Sequence, residues 1–443
     1  MSKLKDKLDF LHKGTQKVKT DGPKDKIKTQ WQHIDSKNGL STKEKLEKLV
    51  NRNLKRREKL SKPHAIVPDP EPVGDETGII IKEYSYPLLT CYGKFQLVEW
   101  SNVSSQQLAL ISGDEGFLTV SPKKLLFFDT ETTGISGGTG TIPFMLGFGY
   151  FEQEAFKVKI FILEDLNKED LFLDHVDTFI QGNEFSATVT YNGKGFDFPL
   201  METRYILQRK RFPLLKIPHL DFLYPARMLW KHTYPSRKLG YLGDVLLGIS
   251  RDDDIDGSQI PMLYFDYLRN RSFSLMQQVV EHNALDLVGL AGLLLLGLKY
   301  LEDVSFTQDE GEVLGTANLH ERSGHFETAE KLYKTLKKFA VREEVIEKTD
   351  KRLSVFLKRK KLYREAVELW EMMSKRSDAQ AVRELSVHFE HREKNYFKAL
   401  EVVNQGMDVL DLTDNQRDDF KKRVKRLNKK IKILEMEDNL DIK

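Results

Sequence analysis

The sequence predicts an α/β chain, a mixed sheet flanked by helices, that gives way to an all-α helical repeat domain. Two observations carry this. Between residues 123 and 300, short apolar runs alternate with helix-like segments, the order expected of one sheet covered by helices. From residue 313 onward the composition turns helical and one short pattern returns three times. A third observation concerns charge. Residues 1–63 hold 19 Lys+Arg against 8 Asp+Glu although the 443-residue chain is only +3 overall, so a basic arm precedes an acidic body.

Taken in order, residues 1–62 form that basic arm, partly disordered, with one helix. Ser41-Thr-Lys-Glu44 is a capping-box pattern followed by Leu46, Leu49, Val50 and Leu54, which predicts a helix to about Leu60. A basic tail on an acidic body suits an anionic partner, or it is a solvated tail that keeps the chain soluble. Prolines 63, 68, 70 and 72 make residues 63–77 a stiff linker. Residues 78–122 read as a small strand-rich lead-in, including Gly78–Lys82 and Phe95–Trp100. The single cysteine, Cys91, excludes an internal disulfide framework and a cysteine-based zinc site, and fits a reducing compartment. The first residues lack the apolar segment of a signal peptide. The apolar patch Leu287–Leu298 contains three glycines and is too short to span a bilayer. The expectation is a soluble cytoplasmic protein with no membrane role.

Residues 123–303 form the α/β unit. Leu125–Phe128 is an unbroken apolar run, which predicts a strand buried on both faces. Ile142–Phe151 and Ala155–Leu163 read as a meander, Asp170–Ile180 as a helix, Ala187–Tyr191 as a strand, and Gly289–Leu298 as part of a late apolar helix. The loop from Gly134 to Gly140 lacks the Gly-Lys-Ser/Thr ending of a phosphate-binding loop and is taken as a flexible rim. In residues 310–432, Phe326-x2-Ala329-x3-Tyr333 is echoed by Tyr363-x2-Ala366-x3-Trp370 and Tyr396-x2-Ala399-x3-Val403, at offsets of 37 and 33. That spacing is close to the tetratricopeptide period of about 34. Alanine admits a close helix neighbour and the bulky residues fill the layer between. Such arrays usually present a surface to protein partners. Residues 433–443 form a tail.

The chemistry-bearing residues begin where the apolar run stops. Asp129 and Glu131 are spaced i, i+2, so on a strand they project together. Adjacent carboxylates repel, and a fold places them together mainly when a cation lies between. The plainer reading is a polar turn closing a core strand. Asp197, after Tyr191-Asn192-Gly-Lys-Gly-Phe196, stands before a helix with proline in its first turn, where an N-cap role would suffice. His282 and Asp286, at i and i+4, share one helical face, which an ordinary polar face would also explain.

Together these segments follow a known order. Asp-x-Glu at a strand end, Asn-x3-Phe-Asp before a helix and His-x3-Asp on a late helix resemble the three motifs of the DEDD superfamily, the 3′–5′ exonucleases with a ribonuclease-H-like fold. The segment His219–Arg227, with Asp221 before an Ala-Arg pair, is similar to a strand of that family, and Arg237–Ile249 to its lid-helix segment. The run Asp256–Pro261 and the repeat tail narrow the resemblance to the YprB-type ribonuclease-H-like proteins, which are bacterial. One departure stands out. His282 precedes Asp286 by four residues, the spacing of the tyrosine subgroup, where the histidine subgroup uses five.

The resemblance implies a metal-dependent exonuclease. Asp129, Glu131, Asp197 and Asp286 supply hard oxygen donors and no thiolate, suiting two Mg²⁺ or Mn²⁺ ions about 3.5–4 Å apart that clamp an in-line displacement at phosphorus. Asp129 is the candidate bridge between them and His282 the candidate general base. Thr132, Tyr191, Asn192 and Phe196 are the candidate nucleic-acid contacts. Tyr191, Phe196 and Phe198 are either stacking platforms for terminal bases or simply core aromatics. Single-stranded nucleic acid, RNA or DNA, is the expected substrate, with a protein partner at the helical repeats. The competing readings are an inactive scaffold that binds proteins through its repeats, a structure-selective endonuclease, and a phosphodiesterase of very short oligomers.

Overall fold

A computed structural model describes residues 78–134, 140–249, 255–307 and 309–440. The basic arm with its 41–60 helix, the proline-rich linker, the rim loop at 135–139 and the last three residues of the tail lie outside the described residues.

The strands are β1 (Ile79–Pro87), β2 (Cys91–Tyr92), β3 (Phe95–Gln96), β4 (Leu125–Thr132), β5 (Pro143–Glu152), β6 (Ala155–Leu163), β7 (Ala187–Thr190) and β8 (His219–Asp221). Six of them form one sheet in the order β1-β6-β5-β4-β7-β8, while β2 and β3 make a separate two-stranded hairpin. The half from β1 to β4 is antiparallel, and β7 and β8 add in parallel to β4. The sheet is therefore mixed, as expected. Leu125, Leu126, Phe127 and Phe128 are all fully buried, which explains why their run shows no alternation. Leu125 and Phe127 enter one core and Leu126 and Phe128 the other, because successive strand residues face opposite ways.

Residues 95–100 differ from expectation. Only Phe95 and Gln96 are strand, and Leu97–Asn102 is a 3₁₀ helix. The cause is spacing. Leu97 and Trp100, three apart, are both buried, which matches the three-residue turn of a 3₁₀ helix, and the Gln96 amide donates to Glu99 Oε1 at 3.3 Å. The Trp100 ring then packs 5.7 Å from Phe127 and 5.4 Å from Phe151. The following helix α1 (Ser105–Ser112) starts from a capping box formed by Ser104 and Gln107. Strand β1 pairs with β6 along its whole length, from Ile79 opposite Leu163 to Pro87 opposite Ala155, so it extends the main sheet.

Helices α2 (Glu169–Gly182) and α3 (Asp197–Leu207) cover one face of the sheet. After β8 come α4 (Leu223–Trp230), the short α5 (Leu239–Leu242) running into a π-helical turn, α6 (Ile260–Asn270) and α7 (Phe273–Glu302). At 30 residues, α7 is about 45 Å long. Its stretch Met276–Glu302 is long and apolar enough to cross a membrane by length and composition, which the 287–298 patch alone did not suggest. Yet 78% of its most apolar window is buried inside the fold. It is apolar nearly all round because it packs as a core helix.

The chain then continues as α8 (Glu310–Arg322), α9 (Phe326–Phe339), α10 (Glu343–Arg359), α11 (Tyr363–Lys375), α12 (Ala379–His391), α13 (Tyr396–Val409) and α14 (Asp414–Leu440). The three echoed segments open α9, α11 and α13, each packed on the helix before it. Ala329, Ala366 and Ala399 are fully buried, as are Tyr333 and Val403, with Trp370 nearly so. Buried Glu390 of α12 is held by Arg423 at 2.9 Å, Arg426 at 2.7 Å and Lys430 at 2.9 Å, all from α14.

The helical region is seated directly on the α/β unit. A Cβ on Gly315 of α8 would lie 2.4 Å from the Met228 carbonyl oxygen of α4, and one on Gly311 would lie 2.7 Å from Thr233 Oγ1. Replacing Gly315 by valine should therefore force the two regions apart at a cost of about 1–3 kcal/mol. Chemical denaturation of the full chain would register the loss. An unchanged midpoint would show that α8 does not bear on α4 so closely.

Candidate functional site

The end of β4 gathers the acidic residues. Asp129 and Glu131 share a strand face, and Asp129 lies opposite Gly147 of β5. The missing side chain at Gly147 matters, because a Cβ there would come within 1.9 Å of Asn283 Oδ1. Asn283 is fully buried on α7, and its Nδ2 donates to Asp129 Oδ2 at 2.7 Å. Among the described residues its Oδ1 has no hydrogen-bond partner. Burial pushes the Asp129 carboxyl well above the usual range, and the nearby carboxylates of Asp197, Glu131 and Asp286 push it further. The four predicted carboxylates thus converge electrostatically on one position.

Asp197 arrives from the other side of the strand. It is the first residue of α3, and Phe196 occupies the cap position without a side-chain cap bond. The Asp197 side chain instead accepts a hydrogen bond from Thr130 Oγ1, 2.5 Å from its Oδ1. Thr130 points to the opposite face of β4 from Asp129, so one short stretch of strand fixes two carboxylates. Burial lifts the Asp197 carboxyl to about 6, with the Thr130 hydrogen bond opposing that rise. On α7, His282 Nε2 stands 3.6 Å from Asp286 Oδ2, one turn apart as the spacing predicted.

A four-carboxylate set without thiolates has the chemistry of a hard divalent cation site. Among the described residues, no group of three or more such side chains is drawn tightly enough to hold a metal ion as it stands. One oxygen each of Asp129 and Asp197 is engaged by Asn283 and Thr130. The raised Asp129 carboxyl marks a site whose ionised form a cation would favour. The residues present fit such a group.

The 191–197 turn is held by a residue the sequence reading did not place in the site. Buried Asp221, at the end of β8, accepts from the backbone amides of Asn192 at 2.8 Å, Lys194 at 3.0 Å and Leu223 at 3.1 Å. Asn192 has φ +71°, and Gly193 sits where a Cβ would be 2.4 Å from Thr190 Oγ1. Thr190 shares a hydrogen bond of 2.8 Å with His219 Nε2, and His219 stacks on Phe198 at 3.7 Å. Burial lowers His219 to about 3, so its ring is neutral at physiological pH. The signal in the sequence was the Asp221 motif after a short strand. Its target, three backbone amides, was not readable.

The candidate nucleic-acid contacts fall into two groups. Asn192 is exposed and Phe196 half-buried, both on the rim. Thr132 is buried and donates to the Gly134 carbonyl at 2.7 Å. Half-buried Tyr191 spends its hydroxyl on the carbonyl of Arg237. Phe198 is core, with its ring 5.3 Å from Phe212, so the core reading holds for it.

Asp197 should carry a measurable pH signature. Its folded carboxyl binds a proton up to about pH 6, against 3.8 for an ordinary aspartate, so the fold loses stability as pH rises through that interval. In the presence of a chelator, Asp197→Asn should be more stable than wild type at pH 8 by about 2–3 kcal/mol. The gap should close by pH 4. Coincident melting curves at pH 8 would contradict the cost of burying the Asp197 charge.

Comparison with known proteins agrees with this fold. The family profile described as the RNase_H superfamily matches residues 126–295, which spans β4 through most of α7. The uncharacterized protein YprB of Bacillus subtilis (strain 168) is 31% identical over 362 residues, covering 79% of this chain and 86% of that protein. With a mixed sheet that carries Asp129 and Glu131 on its central strand and a relative matching over most of both chains, the chain belongs to the YprB family of the ribonuclease H superfamily.

Proposed function

We propose that this protein is a metal-dependent 3′–5′ exonuclease acting on single-stranded RNA or DNA and releasing nucleoside 5′-monophosphates. The observation that carries the reading is the half-buried Asp129 carboxyl at the end of β4, held by Asn283 and pushed above the usual range by burial and by Asp197, Glu131 and Asp286 from three separate elements. Such a cluster destabilises the fold, and a fold retains that cost mainly where the charges have work to do.

Asp129, Glu131, Asp197 and Asp286 would hold Mg²⁺ or Mn²⁺. When bound, such ions activate a water for attack at phosphorus and stabilise the departing 3′-oxygen. The chain's own groups complete the site. Asn283 fixes Asp129 through its amide and Thr130 fixes Asp197 through its hydroxyl. His282 sits on the same helical face as Asp286, with its Nε2 3.6 Å from Asp286 Oδ2. An imidazole at that position is the chain's candidate to take the proton of the attacking water.

The direct test is degradation of 5′-labelled single-stranded RNA and DNA with Mg²⁺, Mn²⁺ or EDTA. A metal-dependent ladder shortening from the 3′ end is expected, with Asp129→Asn and Glu131→Ala slower by more than about 100-fold. Asn283→Ala, which removes only a supporting hydrogen bond to Asp129, should cost about 10–100-fold. Cleavage of a circular single strand would point to an endonuclease, and no cleavage of either polymer would defeat the proposal.

A further inference from the structure

A cleft of about 860 Å³ lies between the end of α4 and helices α10 to α12. Six cations line it: Lys231 just beyond α4, and Lys348, Lys351, Arg352, Lys358 and Arg359 of α10. The α10 cations recur at helical spacing and so form one stripe on one face. Glu384 is the acidic residue of the lining. Four of the cations have acidic neighbours: Lys348 with Glu344 at 2.6 Å, Lys351 with Asp378 at 2.9 Å, Arg352 with Glu321 at 3.5 Å and Lys358 with Glu384 at 2.6 Å. In each pair the cation is exposed to solvent, so the pair is weak and can be exchanged for another anion. Lys231 and Arg359 make no ion pair among the described residues, and the Arg359 guanidinium lies over the Phe326 ring.

Like charges in line along a helix repel one another, so the stripe costs stability that a bound polyanion would return. A nucleic-acid backbone is such a polyanion, with regularly spaced phosphates. The position of the cleft favours it over an acidic peptide. One wall is made by Lys231 and His232, on the segment leaving α4. That helix starts at the sheet edge carrying Asp221 and is only eight residues long, about 12 Å. The cleft therefore adjoins the same α/β unit that carries the carboxylates.

We infer that this cleft binds the phosphate backbone of single-stranded nucleic acid, holding the 5′ side of a strand whose 3′ end lies at the carboxylate cluster. This rests on the proposed substrate class and assigns the helical repeats to substrate rather than to a protein partner. The test uses the full chain in EDTA, where binding is read without cleavage. Anisotropy of 5′-labelled single strands of about 30 and about 4 nucleotides is followed across a salt series, for wild type and for the double variant Lys231→Gln, Arg359→Gln. For the long strand, affinity should fall about tenfold or more, and the slope of log K against log salt should flatten by about 1.4 for two lost contacts. In a parallel arm with Mg²⁺ or Mn²⁺, cleavage of the short strand should stay as in wild type, since both changes lie outside the carboxylate site. Long-strand affinity and slope unchanged in the variant would overturn the inference. So would a variant that loses binding of polyglutamate while keeping that of nucleic acid. If wild type binds the long strand through these residues yet cleaves nothing, the cleft stands and the exonuclease reading alone fails.

Discussion

Repulsion among partly buried carboxylates is the constraint around which this molecule is organised. Asp129 is half-buried and feels the charges of Asp197, Glu131 and Asp286, an arrangement that a chain selected for stability alone would avoid. Everything near it serves to hold those charges in place. The strand supplies two of them, and its neighbouring threonine secures a third. A fully buried asparagine on the longest core helix secures the first. The apolar run Leu125–Phe128, packed on both sides of the sheet, anchors the strand that carries the two acids.

Much of this was legible in the sequence, for definite reasons. A run of apolar residues that ends abruptly in Asp-x-Glu has few physical explanations, and the strand, its burial and the common face of the two acids all follow from it. His282 and Asp286 were legible because helical spacing alone places them together. Asp197 was legible as a position but not as a role. Its ordinary explanation was a helix cap, and only the structure shows the side chain turned to Thr130 while the cap position falls to Phe196. Asn283 could not be found at all. Its meaning depends on Gly147, on a distant strand, whose bare α-carbon leaves the space the amide fills. The Ser104 and Gln107 capping box was present in the sequence and went unread. The 3₁₀ turn at Leu97–Asn102 was masked because its residues suit a strand equally well by type.

The helical region shows the same division between pattern and partner. Three buried alanines with bulky residues four positions later are enough to predict paired helices, and the pairs are there. What surrounds them is less predictable. The stripe of lysines and arginines on α10 looks in sequence like an ordinary solvated face, and becomes one wall of a cleft only because α4 ends opposite it. Glu390, deep in the region, takes the opposite course, with its charge fully met by α14, and its carboxyl is held down to about 2.

The seam between α4 and α8 has a consequence of another kind. Two glycines let the backbones touch, and Leu319 of α8 is buried within the principal core of the α/β unit. The peptide link between α7 and α8 is therefore not what joins the two regions. A chain nicked there would keep its halves in register, and a chain cut short there would bare a core surface built to be covered. The nuclease-like sheet and the helical array have in effect a shared interior, so neither can drift in sequence along this seam without the other.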